Sequence, residues 1–179
     1  WQRVLAPFVS EPFEGGGQGP IVGLPMAGAL FGLMPWFVTL LARVGLEARV
    51  MRSSATSLSR GEQLCQSFDA CSPIKIAHGV IDDAIDRVFA PKLLSLGDAM
   101  GCGSSCPMEQ GMPEMVRAAV SQRRGEPLDL LSPIMKLSSA DRAATPNALR
   151  EALERCIWRL GGDPSRLPAA IDEADSTQR

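Results

Sequence analysis

Four short runs suited to β-strands, Ile21–Leu24, Glu47–Met51, Val88–Leu94 and Leu128–Leu131, are separated by segments long enough to form helices. Strands alternating with helices point to a parallel sheet, because each parallel pair needs a crossover and a helix is the usual one. The runs are compact and apolar and lack a clear in–out alternation, as expected of strands buried on both faces. In such sheets ligand sites lie beyond the carboxyl ends of the strands. The segments that follow the four runs, Pro25–Gly32, Arg52–Arg60, Ser95–Cys106 and Ser132–Thr145, are therefore the places to look for chemistry.

The helices are marked by their punctuation. One ends near Val44, where Gly45 suits a C-cap, and Pro35 sits in its first turn or kinks it. A second is expected over Ser59–Phe68. Another opens at Cys71-Ser72-Pro73 and runs to about Ile85, and a fourth covers Pro113–Arg123. Thr145 as N-cap and Pro146 at the first position start a strong helix that reaches Leu160 and stops at Gly161 and Gly162. Pro164 begins a last one. Ser95–Gly111 reads as a long functional loop and Ser132–Thr145 as irregular. The expected fold is thus α/β, a Rossmann-like parallel sheet of about four strands flanked by helices. Residues 1–20, with Gly15, Gly16, Gly17 and Gly19, read as a flexible connector. Residues 21–179 read as a single domain that is part of a longer protein.

A membrane reading has to be met, since Pro20–Ala42 carries no charge and is long enough to span a bilayer. Three prolines and three glycines divide it, however, into a short buried strand, a Gly-containing turn and a helix. No signal peptide is visible, and a cytoplasmic location is expected. With a net charge of −2 and no basic stripe, the chain offers nothing for nucleic acid. There is one histidine, His78, so a histidine-rich metal site or a Ser-His-Asp triad has a single candidate.

Five cysteines remain to be explained: Cys65, Cys71, Cys102, Cys106 and Cys156. The number is odd and the chain is large enough to fold without disulfides, so metal or redox chemistry is the better use for them. Cys71-Ser72-Pro73 places a thiol at or beside a helix N-cap, where free N–H groups and the helix dipole favour thiolate, the form that binds metal. Lys75 lies one turn on and adds positive charge. Cys106-Pro107 repeats the arrangement behind a Gly-rich approach through Gly101 and Gly103, and Cys102 lies four residues earlier. These spacings match neither a zinc ribbon nor a ferredoxin run. Cys65 and Cys156 read as small buried apolar residues, Cys156 on a helix face with Leu149, Leu153 and Leu160. His78 is either a packed helix histidine or a group supporting the cysteine site, and Gly79 beside it marks close approach of another backbone. From the residues alone, an iron–sulfur site, a zinc site and an inert, partner-binding domain all stay open.

Several segments resemble the activase-related domain of the 2-hydroxyacyl-CoA dehydratase superfamily. They are Ile21-Val22-Gly23-Leu24-Pro25, Met34-Pro35-Trp36-Phe37, Gly45-Leu46-Glu47 and Phe89-Ala90-Pro91, with Leu160-Gly161 in the tail. The most specific are two cysteine–proline segments, Cys71-Ser72-Pro73-Ile74-Lys75-Ile76-Ala77-His78-Gly79 and Ser105-Cys106-Pro107-Met108-Glu109-Gln110-Gly111-Met112-Pro113. The resemblance implies a Rossmann-like domain whose cysteines bind a [4Fe–4S] cluster, with Cys71 and Cys106 as ligands and Cys102 as a third. Lys75 and His78 would support the cluster. It implies an activator ATPase or a dehydratase-like domain as partner, with a homodimer as a further possibility. Where the family commonly has a second histidine this chain has Val80, and no activator-type ATP-binding domain is visible. An accessory electron-transfer role is therefore the expectation.

Overall fold

The computed structural model describes residues 19–65, 69–81, 85–96 and 104–178. Strand β1 (Ile21–Pro25) leads into a 3-10 turn (Gly28–Leu33) and helix α1 (Met34–Arg43). β2 (Glu47–Met51) is followed by α2 (Ala55–Leu64) and α3 (Ser72–Val80). Then come β3 (Arg87–Phe89), β4 (Lys92–Ser95), α4 (Pro107–Arg124), β5 (Asp129–Leu131) and β6 (Ile134–Lys136). α5 (Ser139–Ala144), α6 (Ala148–Leu160) and α7 (Leu167–Gln178) complete the chain.

Four strands form one parallel sheet in the order β2-β1-β3-β5, with Gly23 of β1 opposite Val88 of β3. In central β1, successive side chains point to opposite faces, yet Val22, Gly23 and Leu24 are all buried. Both faces are therefore covered, which is why the strand reads as a plain apolar run. β2 lies on one side of β1, and the chain then crosses to place β3 and β5 on the other. The order reverses between β1 and β3, and the crevice at their carboxyl ends is where ligands of such sheets bind.

The core is built from few aromatic residues. Phe37 of α1 meets Phe89 of β3 edge-on at 6.0 Å between ring centres, and Trp36 at 5.1 Å. Trp36 donates its indole N–H to Asp175 of α7 at 2.8 Å, and Arg142 of α5 forks onto the same carboxylate at 2.6 and 3.1 Å. α6 buries Leu149, Leu153, Ile157 and Leu160 along one stripe, with Cys156 partly buried against the core beside them.

The division of Pro20–Ala42 into strand, turn and helix is realised, with Pro35 in the first turn of α1 and Gly45 left-handed just past its end. Among the described residues no helix is long and apolar enough to cross a membrane. Other boundaries differ from the sequence reading. The run Val88–Leu94 is two strands. Pro91 has no N–H for the ladder, and the chain leaves the main sheet there to pair β4 with β6 in a separate two-stranded parallel sheet. The segment Ser132–Thr145 is ordered, since it contains β6 and α5, the latter capped by the Ser138 hydroxyl accepting from the Asp141 N–H. Thr145 ends α5 and does not start α6, whose N-cap is Asn147. α2 starts at Ala55 rather than Ser59, because Ser54 and Ser57 cap each other reciprocally. α3 stops at Val80. α4 starts at Pro107, well before Pro113, which is tolerated inside it.

Candidate functional site

Each cysteine–proline segment is the start of a helix. Cys71 is the N-cap of α3, in extended backbone conformation (φ −66°, ψ 157°), and Cys106 the N-cap of α4 (φ −56°, ψ 131°). Proline follows because the first-turn N–H is unpaired in any helix and the ring presets φ. The cysteine carbonyls accept the first helical bonds, from Ile74 and Lys75 in one case and Glu109 and Gln110 in the other. Neither sulfur caps its own helix, and both cysteines are exposed free thiols. They present sulfur beside the positive end of a helix dipole, a setting in which cysteine binds metal or reacts.

The two helix starts face one cleft. A cavity of about 20 Å³ is walled by Ala27 and Gly28 after β1, Pro91 and Leu93 beyond β3, Pro73 and Ile74 of α3, and Glu109 and Met112 of α4. It thus occupies the crevice between the carboxyl ends of β1 and β3. At about the volume of a single water it is a packing gap rather than a ligand pocket. Its value is as a marker: the wall residues of α3 and α4 come just after Cys71 and Cys106 in sequence.

Fixed contacts hold these starts in place. Ser104 bridges to Ser95 of β4, the Ser105 N–H donates to the Leu94 carbonyl at 3.0 Å, and the Ser105 hydroxyl bonds the Leu93 carbonyl. The Gln110 amide returns to the Ser105 carbonyl at 3.0 Å. Cys106 is therefore tied to β4 from both directions. Glu109 reaches across the cleft, where its carboxylate accepts from the Ala29 N–H at 3.0 Å, and Gly28 (φ +54°) leaves room for it. A Cβ on Gly28 would stand 2.4 Å from the Glu109 oxygen. Glu109 was missed as a site residue. Its place three residues after the N-cap is one where Glu usually caps its own helix, and here it caps another element instead.

α3 is pressed against α2 at two glycines. A Cβ on Gly61 would lie 1.7 Å from the Lys75 carbonyl, and one on Gly79 1.7 Å from the Ser57 carbonyl. The close approach marked by Gly79 is thus the crossing of these helices. Lys75 pairs with Asp69 at 3.5 Å. Its charge also acts on Cys65, opposing the burial that pushes that thiol up. His78 is buried, with Nδ1 2.8 Å from the Ile74 carbonyl. Burial lowers its pKa, opposed by bonds to the Ile74 and Met115 backbones, so it clamps α3 to α4 as a packed residue behind the cysteine end.

Cys65 and Cys156 are the interior cysteines, and burial raises both thiols. Cys102 lies outside the described residues, as does most of the connector read over residues 1–20. Among the described residues no three His, Cys, Asp or Glu side chains are placed to hold a metal ion. Cys71 and Cys106 are thus two thiol donors of the right kind, and a complete ligand set needs others.

Neither the curated proteins nor the solved structures contain a significant match to the chain. A family model does match, over residues 21–179, from the first residue of β1 through both cysteine–proline helix starts to the end of α7. The chain belongs to the family described as CoA enzyme activase uncharacterised domain (DUF2229).

Proposed function

We propose that this domain binds an iron–sulfur cluster of the [4Fe–4S] type and serves as a redox component of a 2-hydroxyacyl-CoA dehydratase/activase-like system. The observation that supports the reading is that two helices with cysteine N-caps, α3 and α4, both wall one cleft beyond β1 and β3 with residues of their first turns. Membership of a CoA enzyme activase family supports the system, with an activator ATPase or dehydratase-like domain as partner. Cys71 and Cys106 are the ligands from the described residues and Cys102 is the third. The remainder comes from a partner domain or a second copy of the chain. When bound, the cluster supplies low-potential one-electron transfer.

The chain's own residues have separate tasks in this reading. Helices α3 and α4 bring partial positive charge to the thiolates. Ser105 and Gln110 hold Cys106 against β4, and Glu109 joins the turn after β1 to the start of α4. Lys75 adds positive charge on the first turn of α3, and His78 keeps α3 against α4 behind the site. The setting is cytoplasmic, where exposed thiols stay reduced.

Anaerobic reconstitution with iron and sulfide tests this. The protein is expected to turn brown with a broad visible absorption, and Cys71→Ser and Cys106→Ser each to remove the colour. The lack of a three-ligand group among the described residues favours a second reading, a cluster-free partner-binding domain, and a zinc site built from the same cysteines is the other alternative. A colourless protein that retains zinc favours the zinc site, since zinc has no visible absorption. A colourless, metal-free protein favours the partner-binding domain.

A further inference from the structure

β2 is an edge strand, and a second cavity, sharing no wall residue with the cysteine cleft, opens where it meets α2. Its volume is about 290 Å³. That is close to the lower end of the roughly 300–1,000 Å³ typical of small-molecule sites. Three arginines line it: Arg49 in β2, Arg52 just beyond the strand, and Arg60 on α2. Thr56 lines it too, four residues before Arg60 and so on the same helix face. Among the described residues no carboxylate is in the wall, and none of the three guanidinium groups has a hydrogen bond or ion pair there.

Arg150 and Arg155 on α6 also show no ion pair or hydrogen bond among the described residues, but Arg49, Arg52 and Arg60 share one cavity wall. Elsewhere Arg43, Lys92, Arg142, Arg159 and Arg166 are each paired with an acidic side chain, and the chain as a whole is slightly acidic. Three like charges around one concave volume repel one another, and an anion placed between them removes that cost. At the start of α2, Ser54 and Ser57 already occupy each other's backbone N–H groups at 3.1 and 2.7 Å. The donors on offer are the guanidinium forks, whose planar geometry matches phosphate oxygens two at a time. A single carboxylate would satisfy one fork, whereas a diphosphate has the oxygens and charge for three. Val80 and Ile85 give the cavity an apolar side against which a sugar or ring can rest.

We infer that this arginine-lined cavity binds the diphosphate group of a nucleotide-type ligand, independently of the cysteine cleft. Isothermal titration of the whole chain with inorganic phosphate, inorganic pyrophosphate, ADP and coenzyme A at low salt tests it. Saturable one-to-one binding is expected for pyrophosphate, ADP and coenzyme A, with monophosphate at least tenfold weaker. Arg52→Gln/Arg60→Gln should weaken binding tenfold or more. Arg150→Gln/Arg155→Gln, which removes the same charge from exposed positions on α6, should leave it unchanged. ADP or coenzyme A binding more tightly than pyrophosphate assigns the organic ligand, and equal binding assigns the free anion. Three results overturn the inference: no saturable binding of any diphosphate, monophosphate binding as tight as pyrophosphate, or equal weakening by the two double variants.

Discussion

His78 shows how one buried side chain sets a pH dependence. Burial holds its pKa below the free value of about 6.5, against the pull of the Ile74 and Met115 backbones. The unfolded chain therefore takes up a proton at a higher pH than the folded one. Stability contributed by the neutral ring is complete above about pH 6.5 and is lost as the pH falls from there through the lowered folded value. Urea unfolding across that window should show stability declining on acidification, and His78→Gln should flatten the decline. A variant with the same pH slope as the parent would show that another group is responsible. The sequence left His78 divided between packing and a supporting role, and its burial places it in the packing. The cysteines were more legible. Cys71 and Cys106 were separated from Cys65 and Cys156 by the proline that follows each of them, and exposure divides the four in the same way.

At the scale of elements, the crossing of α2 and α3 is the tightest joint near the site. The Gly61 and Gly79 backbones touch facing carbonyls, so Gly61→Ala or Gly79→Ala must push the helices apart. Overpacking of this kind costs about 1–3 kcal/mol, and a Cβ set against rigid backbone belongs at the upper end. Thermal melting should show either variant clearly destabilised, while Gly125→Ala, in open space but left-handed, pays only for its backbone conformation. An unchanged melting temperature for Gly79→Ala would contradict the packing described. Elements with strong local signals were readable in advance: β1, α1 with its Gly45 stop, and α6 with Gly161. The errors came where a weaker signal won. The Ser54–Ser57 cap lacks the Glu or Gln that usually marks a helix start, so the sequence signal places the start of α2 too late. That hid the shared face of Thr56 and Arg60, and with it the arginine-lined cavity. Pro91 divides one apolar run into two strands, and Pro113 resembles a helix start in the sequence although Pro107 begins α4.

For the whole molecule, the sheet order β2-β1-β3-β5 makes one crevice, and both cysteine–proline helix starts arrive there although 35 residues separate Cys71 from Cys106. The parallel α/β architecture was legible from alternating strands and helices. The convergence was not, because it depends on which strands become neighbours. The central claim is that these two thiols share one iron–sulfur group. Iron and acid-labile sulfide measured on anaerobically purified protein, beside Cys71→Ser and Cys106→Ser, test it most directly. Both cysteines are exposed, so the substitutions leave the core intact. The account predicts about four irons and four sulfides per cluster in the parent, with both lost in either variant. A parent without iron, or variants that keep their full complement, would contradict it.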